Sequence, residues 1–396
     1  MTICITGAGI LSAIGQNLVE TTANLLNHKS GVSPIRRLPT QHGSDFPAGE
    51  ILLTDEELAA PLALSHPLPT RTSLLGIRAV DQAIRQARLK PDDLAKTGLV
   101  SASTVGGMVR KEADYAAYLT GTKSAAFIHT NDVADSTELI AKTFGIQGMM
   151  TTINTACSSS ANAIILGARL IRQGRLERVL VGGTDALSRF TLNGFNALML
   201  VDRQPCRPFD RHRQGINLGE GAGYLVLESE ASAHRRGCPP IAYLSGCGST
   251  NDAYHATSTS PNGYGIQLAM EKALLEAQLG KEQIGYLNAH GTGTPNNDLT
   301  EGNALEKFFG NVPPFSSTKA FTGHTLAAAG SIEAVISLLC LTQQFMPANL
   351  NFTEAIPEHG LRPLTHAQPT HRLQHVMSTS IGMGGSCAAL VISTTP

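Results

Sequence analysis

Cys157 sits in the run Thr152-Ile153-Asn154-Thr155-Ala156-Cys157-Ser158-Ser159-Ser160-Ala161-Asn162-Ala163. Downstream, Ala161, Ile164, Ile165, Ala168 and Ile171 form a stripe at helical spacing, and Gly174 is placed to end it. The pattern predicts a strand-to-helix elbow with Cys157 at or near the helix N-terminus. Unpaired N–H groups and the positive dipole end there favour thiolate over thiol. The same groups can receive a carbonyl oxygen that becomes anionic under attack. The competing reading is a buried cysteine acting as a small hydrophobe. Two histidines weigh against it. Asn288-Ala289-His290-Gly291-Thr292-Gly293-Thr294-Pro295 follows a strand, so His290 arrives at a strand's carboxyl end, where α/β sites lie. Ser316-Ser317-Thr318-Lys319-Ala320-Phe321-Thr322-Gly323-His324 places a second histidine before Leu326-Ala327-Ala328-Ala329-Gly330, a run suited to a tightly packed helix. A cysteine and two histidines on glycine- and threonine-rich turns read as one nucleophilic site.

The elements that must position them alternate. Strand segments are Ile3–Thr6, Leu99–Ser103, Val179–Val181, Tyr224–Leu227, Ile241–Leu244, Ile284–Ala289 and Ala388–Ile392, several closing on glycine turns. Helical segments are Leu74–Arg88, Cys157–Gln173, Ile266–Gln278 and Gly330–Gln343. This alternation argues a layered α/β fold. Ile3–Gly9 and Ile241–Gly248 each read as a strand closing on Gly-x-Gly, a faint internal rhyme. The segment Glu230–Pro240 is the best boundary, dividing the chain into residues 1–240 and 241–396. Gly7-Ala8-Gly9 reads as a structural turn, because Ser12 stands where a dinucleotide fingerprint needs glycine. His371 and His375 read as part of a solvated segment.

Composition narrows the class. The chain has 396 residues, 42% of them apolar, enough for a large core. Thirty basic and 31 acidic residues give −1, and with no Trp and 5% aromatics nothing points to nucleic acid. Seven cysteines, an odd number without a C-x-x-C pair, speak against a disulfide framework or zinc knuckle. A reducing compartment follows. The first basic residue is Lys29, so no charged signal-peptide start is expected, and the cytoplasm is the expected location. Leu326–Leu341, interrupted by Glu333, reads as too short for a membrane span.

The chain closely resembles the β-ketoacyl-acyl-carrier-protein synthases, the elongating condensing enzymes of the thiolase superfamily. Six segments carry the likeness in order: Thr155–Ser159, Arg207-Pro208-Phe209-Asp210, Gly219-Glu220-Gly221-Ala222-Gly223, His290–Thr294, Lys319–His324 and Gly382-Met383-Gly384-Gly385. The resemblance implies a thiolase-like five-layered αβαβα fold of two related halves. It implies that Cys157 takes an acyl group from a carrier-protein thioester. His290 and His324 then bind the malonyl thioester oxygen as decarboxylation makes it an enolate. Backbone N–H groups of Cys157 and Met383 would form the second oxyanion hole. Lys319 and Glu333 would order the histidines, and Thr292 and Thr294 would contact the pantetheine arm. Ile381 and Met383 would bound the acyl pocket. Asp298 and Glu301 match acidic positions near the site, with loop scaffolding an equally good reading. No metal or organic cofactor is implied. The partners implied are an acyl carrier protein and either a second copy or a chain-length-factor-like subunit.

Departures from the fatty-acid elongation pattern suggest a specialised polyketide or polyene pathway. The glycine loop reads Ile381-Gly382-Met383-Gly384-Gly385, where the family has two phenylalanines. Cys387 replaces an asparagine, and Arg213-Gln214-Gly215-Ile216 replaces Arg-Asp-Gly-Phe. Of the basic stretch that often meets carrier protein, only Arg71 remains between Leu68 and Leu75. Arg203, Arg207, Arg211, Arg213, Arg36 and Arg37 are the other docking candidates, with Arg203 the best. Arg207 and Arg211 could instead pair with Asp202 and Asp210. The alternatives to a synthase are a thiolase or acyltransferase on coenzyme A thioesters, and a non-catalytic partner subunit. A thiolase needs a second reactive cysteine before the C-terminal glycine loop, and Cys387 lies after it.

Overall fold

The computed structural model describes residues 1–64, 66–123 and 125–396. Ten strands form one continuous sheet, five from each half of the chain. The first half supplies β1 (Ile3–Ser12), β2 (Gly98–Ala102), β3 (Met150–Ile153), β4 (Arg178–Asp185) and β5 (Gly221–Ser229). The second supplies β6 (Ala242–Asn251), β7 (Tyr286–Asn288), β8 (Phe315–Ser316), β9 (His375–Ile381) and β10 (Ser386–Ser393). The spatial orders, β1-β5-β4-β2-β3 and β6-β10-β9-β7-β8, are the same permutation. Pairing directions match as well. In each half the second strand lies parallel to the third and fourth, and the fifth is antiparallel to both its neighbours. The halves join where Cys4 pairs with Tyr243 and Ile5 with Ala242.

The faint rhyme has a physical cause. Residue Thr6 of β1 and residue Ser245 of β6 fall where the strand register shifts, each just before a Gly-x-Gly. On β1, a Cβ at Gly7 or Gly9 would lie 2.3 Å from Ala83 O and 1.9 Å from Ala79 O, in helix α1 (Arg71–Gln86). On β6, a Cβ at Gly246 or Gly248 would lie 2.0 Å from Ala273 O and 1.8 Å from Ala269 O, in helix α3 (Tyr264–Ala277). Both helices carry alanine every fourth residue on the strand-facing side. These glycines are therefore not turns, as the sequence suggested. They lie inside strands and let a helix backbone press onto the sheet. Gly182 and Gly183 likewise lie within β4.

Between the two halves of the sheet lie helices α2 (Ser159–Arg172) and α5 (Ala329–Gln343), in the largest apolar cluster of the molecule. Helix α1 closes the outer face of the first half over a second cluster. Helix α3, with α4 (Pro295–Phe309), closes the outer face of the second half over a third. Helix, sheet, helix, sheet, helix makes five layers. The fold class read from the sequence holds. Helix α5 is buried from Ala329 to Leu341, as a helix apolar on all sides must be. The helical run Leu326–Gln343 is 18 residues long, a little longer than the stretch read from sequence, and passes for a membrane span by length and composition only. Its place between two sheets makes it a core helix.

Replacing Gly248 by Ala should cost about 3 kcal/mol, the upper range for overpacking, because the obstructing atom is helix backbone and cannot swing away. Gly194, whose added Cβ would meet nothing within 4 Å, is the control, and its replacement by Ala should be neutral or slightly stabilising. Denaturant midpoints of the two variants check the contrast.

Candidate active site

The elbow between β3 and α2 turns on Ala156, whose φ of 53° is in the left-handed region. That turn aims the Cys157 N–H inward two residues before the helix begins at Ser159. The motif's serines hold the elbow: Thr155 N–H donates to Ser159 Oγ at 2.8 Å, and Ser158 Oγ donates to the Thr155 carbonyl at 2.8 Å. From the other half, the loop after β9 lies against the elbow so closely that a Cβ at Gly382 would be 2.7 Å from Thr155 O. This contact brings Met383 to the sulfur.

Two carboxylates on α4 hold the loop that carries His290. Glu301 accepts from the His290 and Gly291 N–H groups, each at 2.8 Å. Asp298 accepts from the N–H groups of Phe209 (2.7 Å), Thr292 (3.0 Å) and Gly293 (3.0 Å). Both carboxylates are fully buried, and scaffolding is what they do. His324 is fixed through its backbone. Its N–H donates to Asn217 O at 2.7 Å, and its carbonyl accepts from Gly219 N–H at 2.9 Å.

Hydrogen-bond inventory sets both tautomers. Lys319 is buried, and a protonated amine can only donate. Its three acceptors are the Glu333 carboxylate, the His290 carbonyl oxygen, and His290 Nδ1 at 3.2 Å. His290 therefore carries its hydrogen on Nε2. His324 Nδ1 accepts from Leu326 N–H at 3.1 Å, so its hydrogen also sits on Nε2, which has no partner among the described residues. The rings meet edge-on, with centroids 5.5 Å apart at 86°. One ligating atom from each of Cys157, His290 and His324 lies within 4.8 Å of the other two.

Burial pulls the His290 and His324 pKa values well below the usual imidazole value, and the Lys319 ammonium adds to it. Both rings are neutral donors at neutral pH. Burial also pushes the Cys157 thiol up to about 11, against the pull of Lys319 and of the Met383 and Cys157 backbone N–H groups, which hydrogen-bond the sulfur. The thiolate expected from the helix end is thus overruled: the resting group is a thiol. The three side chains are near enough to share a soft metal ion. Nε2–H hydrogens aimed inward and an ammonium behind His290 all disfavour a cation there.

Cys157 and both histidines open onto a cavity of about 400 Å³. Thr292, Thr294, Ile381 and Met383 line it, as the sequence reading placed them. Lys319 and Glu333 lie behind the histidines. The sequence reading missed Phe195, Leu198 and Met199 on one wall and Thr257–Thr259 on another. Leu198 and Met199 are exposed at the mouth, a signal visible only as an apolar run. Arg71 is no docking residue. It is buried and gives two hydrogen bonds to Glu220, at 2.9 and 2.7 Å. Arg213 is taken up by the carbonyls of Asp210, Thr294 and Pro295. Arg211 pairs with Glu354 rather than Asp210, whose carboxylate accepts from backbone N–H groups instead. Arg203 stays exposed, stacked over Phe46 at 5.3 Å.

Comparison with known proteins identifies the family. Residues 1–233 match the family model of the beta-ketoacyl synthase N-terminal domain, and residues 241–353 that of the C-terminal domain. The 3-oxoacyl-[acyl-carrier-protein] synthase 2 of Staphylococcus aureus (strain N315) is 32% identical over 403 residues, spanning 98% of this chain and 97% of that one. Among solved structures, the ishigamide ketosynthase/chain length factor superposes with a TM-score of 0.92 at 30% identity, covering 100% of this chain and 99% of that one. A type II PKS acyl-carrier protein in complex with its ketosynthase bound to the hexaketide gives 0.88 at 26% identity, covering 100% and 99%.

A thiol held near 11 has a testable signature. Its thiolate fraction at pH 7 is about 10⁻⁴, so alkylation of Cys157 by iodoacetamide should climb roughly tenfold per pH unit between 7 and 9. No plateau should appear in that range. Peptide mapping at each pH reads the rate, and a plateau near pH 8 would contradict the burial argument.

Proposed function

This chain belongs to the β-ketoacyl synthase family and is a condensing enzyme, and we propose a decarboxylative Claisen cycle run on carrier-bound thioesters. Cys157 Sγ attacks the acyl thioester, the carrier thiolate leaves, and the thiol proton goes with it. The tetrahedral oxygen is received by the N–H groups of Cys157 and Met383, which already point at the sulfur. A malonyl thioester then enters. Its carboxylate leaves as carbon dioxide, and the electron pair of the broken bond makes an enolate. The Nε2–H groups of His290 and His324 donate to the enolate oxygen. Its carbon attacks the Cys157 thioester, Cys157 is expelled as a thiolate that takes a proton from solvent to restore the resting thiol, and the β-ketoacyl product stays on its carrier.

The observation that carries this reading is the tautomer pair. Two neutral rings, each with Nδ1 already accepting, present only donors to the cavity. Such rings stabilise a developing oxyanion without protonating the carbanion beside it. Their fixed donors suit an enolate better than base catalysis on the thiol, which favours a synthase over a thiolase using a second acid/base. The reading needs no metal or organic cofactor. The 400 Å³ cavity, with Thr292 and Thr294 on its wall, suits a pantetheine arm. Incubation with an acyl donor and a malonylated carrier, with mass analysis of the carrier, tests it. A carrier that never gains the condensed mass would overturn it.

The partners follow from the surface. A carrier must reach the mouth beside Leu198 and Met199, where Arg203 is the exposed cation closest in sequence. Strand β3 is an edge of the sheet, and Met149 and Met150 at its start are exposed apolar residues. An unpaired edge with apolar flanks is a place for another chain to add strand to strand. A second copy or a chain-length-factor-like subunit would occupy it.

Replacing His290 or His324 by Ala should cost about 10²–10⁴ in condensation. Acylation of Cys157 should fall less, because neither ring is set up to take its proton. Separate assays of acyl transfer and malonyl decarboxylation distinguish the two. Met383, an unbranched and flexible side chain, sits between Gly382 and two glycines of positive φ. Met383→Phe should narrow the range of accepted acyl chains while sparing short saturated donors, read as chain-length profiles with one carrier.

A further inference from the structure

The internal duplication extends to the elbow, with one difference. In the first half, Ala156 (φ 53°) turns the chain, the Cys157 N–H faces an anion hole, and the helix starts at Ser159. In the second half, Leu326 (φ 54°) turns the chain, the Ala327 N–H faces inward, and the helix starts at Ala329. The spacing is the same. The first hole stands open beside the nucleophile. The second is filled: Asp185, the last residue of β4, accepts from Ala327 N–H through Oδ2 at 2.8 Å.

Asp185 is fully buried and collects four further donors from the loop after β2. Ser103 Oγ donates at 2.6 Å, Thr104 Oγ1 at 2.6 Å, Thr104 N–H at 3.1 Å and Val105 N–H at 3.0 Å. Ser103 Oγ itself accepts from Gly106 N–H, which leaves its hydrogen for Asp185. No acceptor faces the carboxylate among its partners, so the ring of donors is matched by a carboxylate anion.

We propose that Asp185 is an internal anion that fills the pseudosymmetric counterpart of the oxyanion hole and thereby positions His324. The link is two residues long. Asp185 holds the Ala327 N–H. Leu326 is kept in the left-handed region, costly for a branched side chain. In that conformation its own N–H reaches His324 Nδ1 at 3.1 Å and fixes the Nε2–H tautomer. Without the anion, Ala327 N–H is orphaned at the start of a buried helix, Leu326 relaxes, and His324 loses the bond that orders its ring. The same carboxylate ties this turn to the loop of Val105. Val105 and Leu326 share an apolar cluster with Ile216, a residue of the cavity wall. Asp185 is a positioning residue, not one that touches substrate.

The proposal rests on the donor role assigned to His324, so parent-enzyme condensation is measured first and fails alone if that reading is wrong. Asp185→Asn, nearly the same size, and Asp185→Ala, which vacates the hole, are then assayed for malonyl decarboxylation and for Cys157 alkylation. Both variants should lose decarboxylation by about tenfold or more, with alkylation within about twofold of the parent. Sodium formate at tens of millimolar should restore at least half of the loss in Asp185→Ala, by placing a carboxylate in the vacated hole. It should not help the parent or His324→Ala. If Asp185→Ala does not fold, the split between the two assays in Asp185→Asn decides. Decarboxylation and alkylation falling together, unchanged decarboxylation, or a folded Asp185→Ala that formate leaves unaltered would each overturn the proposal.

Discussion

A buried ammonium sets the protonation state of this site. Lys319 is 2% exposed, in a layer where an unpaired charge costs several kcal/mol. It is tolerated because its donors meet the Glu333 carboxylate and the carbonyl oxygen and Nδ1 of His290. Each acceptor is thereby fixed as an acceptor. His290 has no freedom of tautomer, and the same positive charge helps keep both imidazoles neutral while drawing the Cys157 thiol downward. Glu333 answers in kind: burial raises its pKa, and the ammonium holds it down. Cutting either partner away would strand the other in an apolar layer.

Burial and local electrostatics compete at every group in the site, and burial wins at most of them. The helix end and two backbone N–H groups favour a Cys157 thiolate, yet the thiol stays near 11 because the sulfur lies between two sheets. Attack on the acyl thioester runs through the small thiolate fraction, and the proton that the sulfur gives up balances the leaving carrier thiolate. In the proposed cycle this leaves the histidines to serve the enolate. One environment, dry and donor-lined, suits both half-reactions.

Cys157, His290 and His324 could be read from sequence because each stands on a turn whose small residues announce it. The alternation of strands and helices gave the layered class for the same local reason. Lys319 and Glu333 could be named only by family likeness. Nothing in a 14-residue separation across two helices says that they pair. Gly7-Ala8-Gly9 was misread because a glycine pair looks alike in a turn and under a helix. The alanines at 79, 83 and 87 were the available signal, and they lie some seventy residues away. The state of Cys157 and the burial of Arg71 were beyond reach, since both are sums over contacts from distant segments. Asp185 ends a strand with no motif around it, and only the folded chain brings Ala327 to it.

The duplication explains why a chain with two similar halves has one nucleophilic centre. Each half delivers a left-handed turn, an inward N–H and a central helix, so the fold offers two places where an anion is welcome. Two open holes in one dry layer would leave two sets of buried donors unsatisfied, each costing roughly 1–3 kcal/mol per group. The chain resolves this unequally. One hole keeps its donors on the Cys157 sulfur and stays accessible from the cavity. The other is closed by Asp185, and its residues are spent on holding His324. Stability in one half thus supplies the order that chemistry requires in the other. The asymmetry lies in a few side chains laid over a backbone that repeats itself.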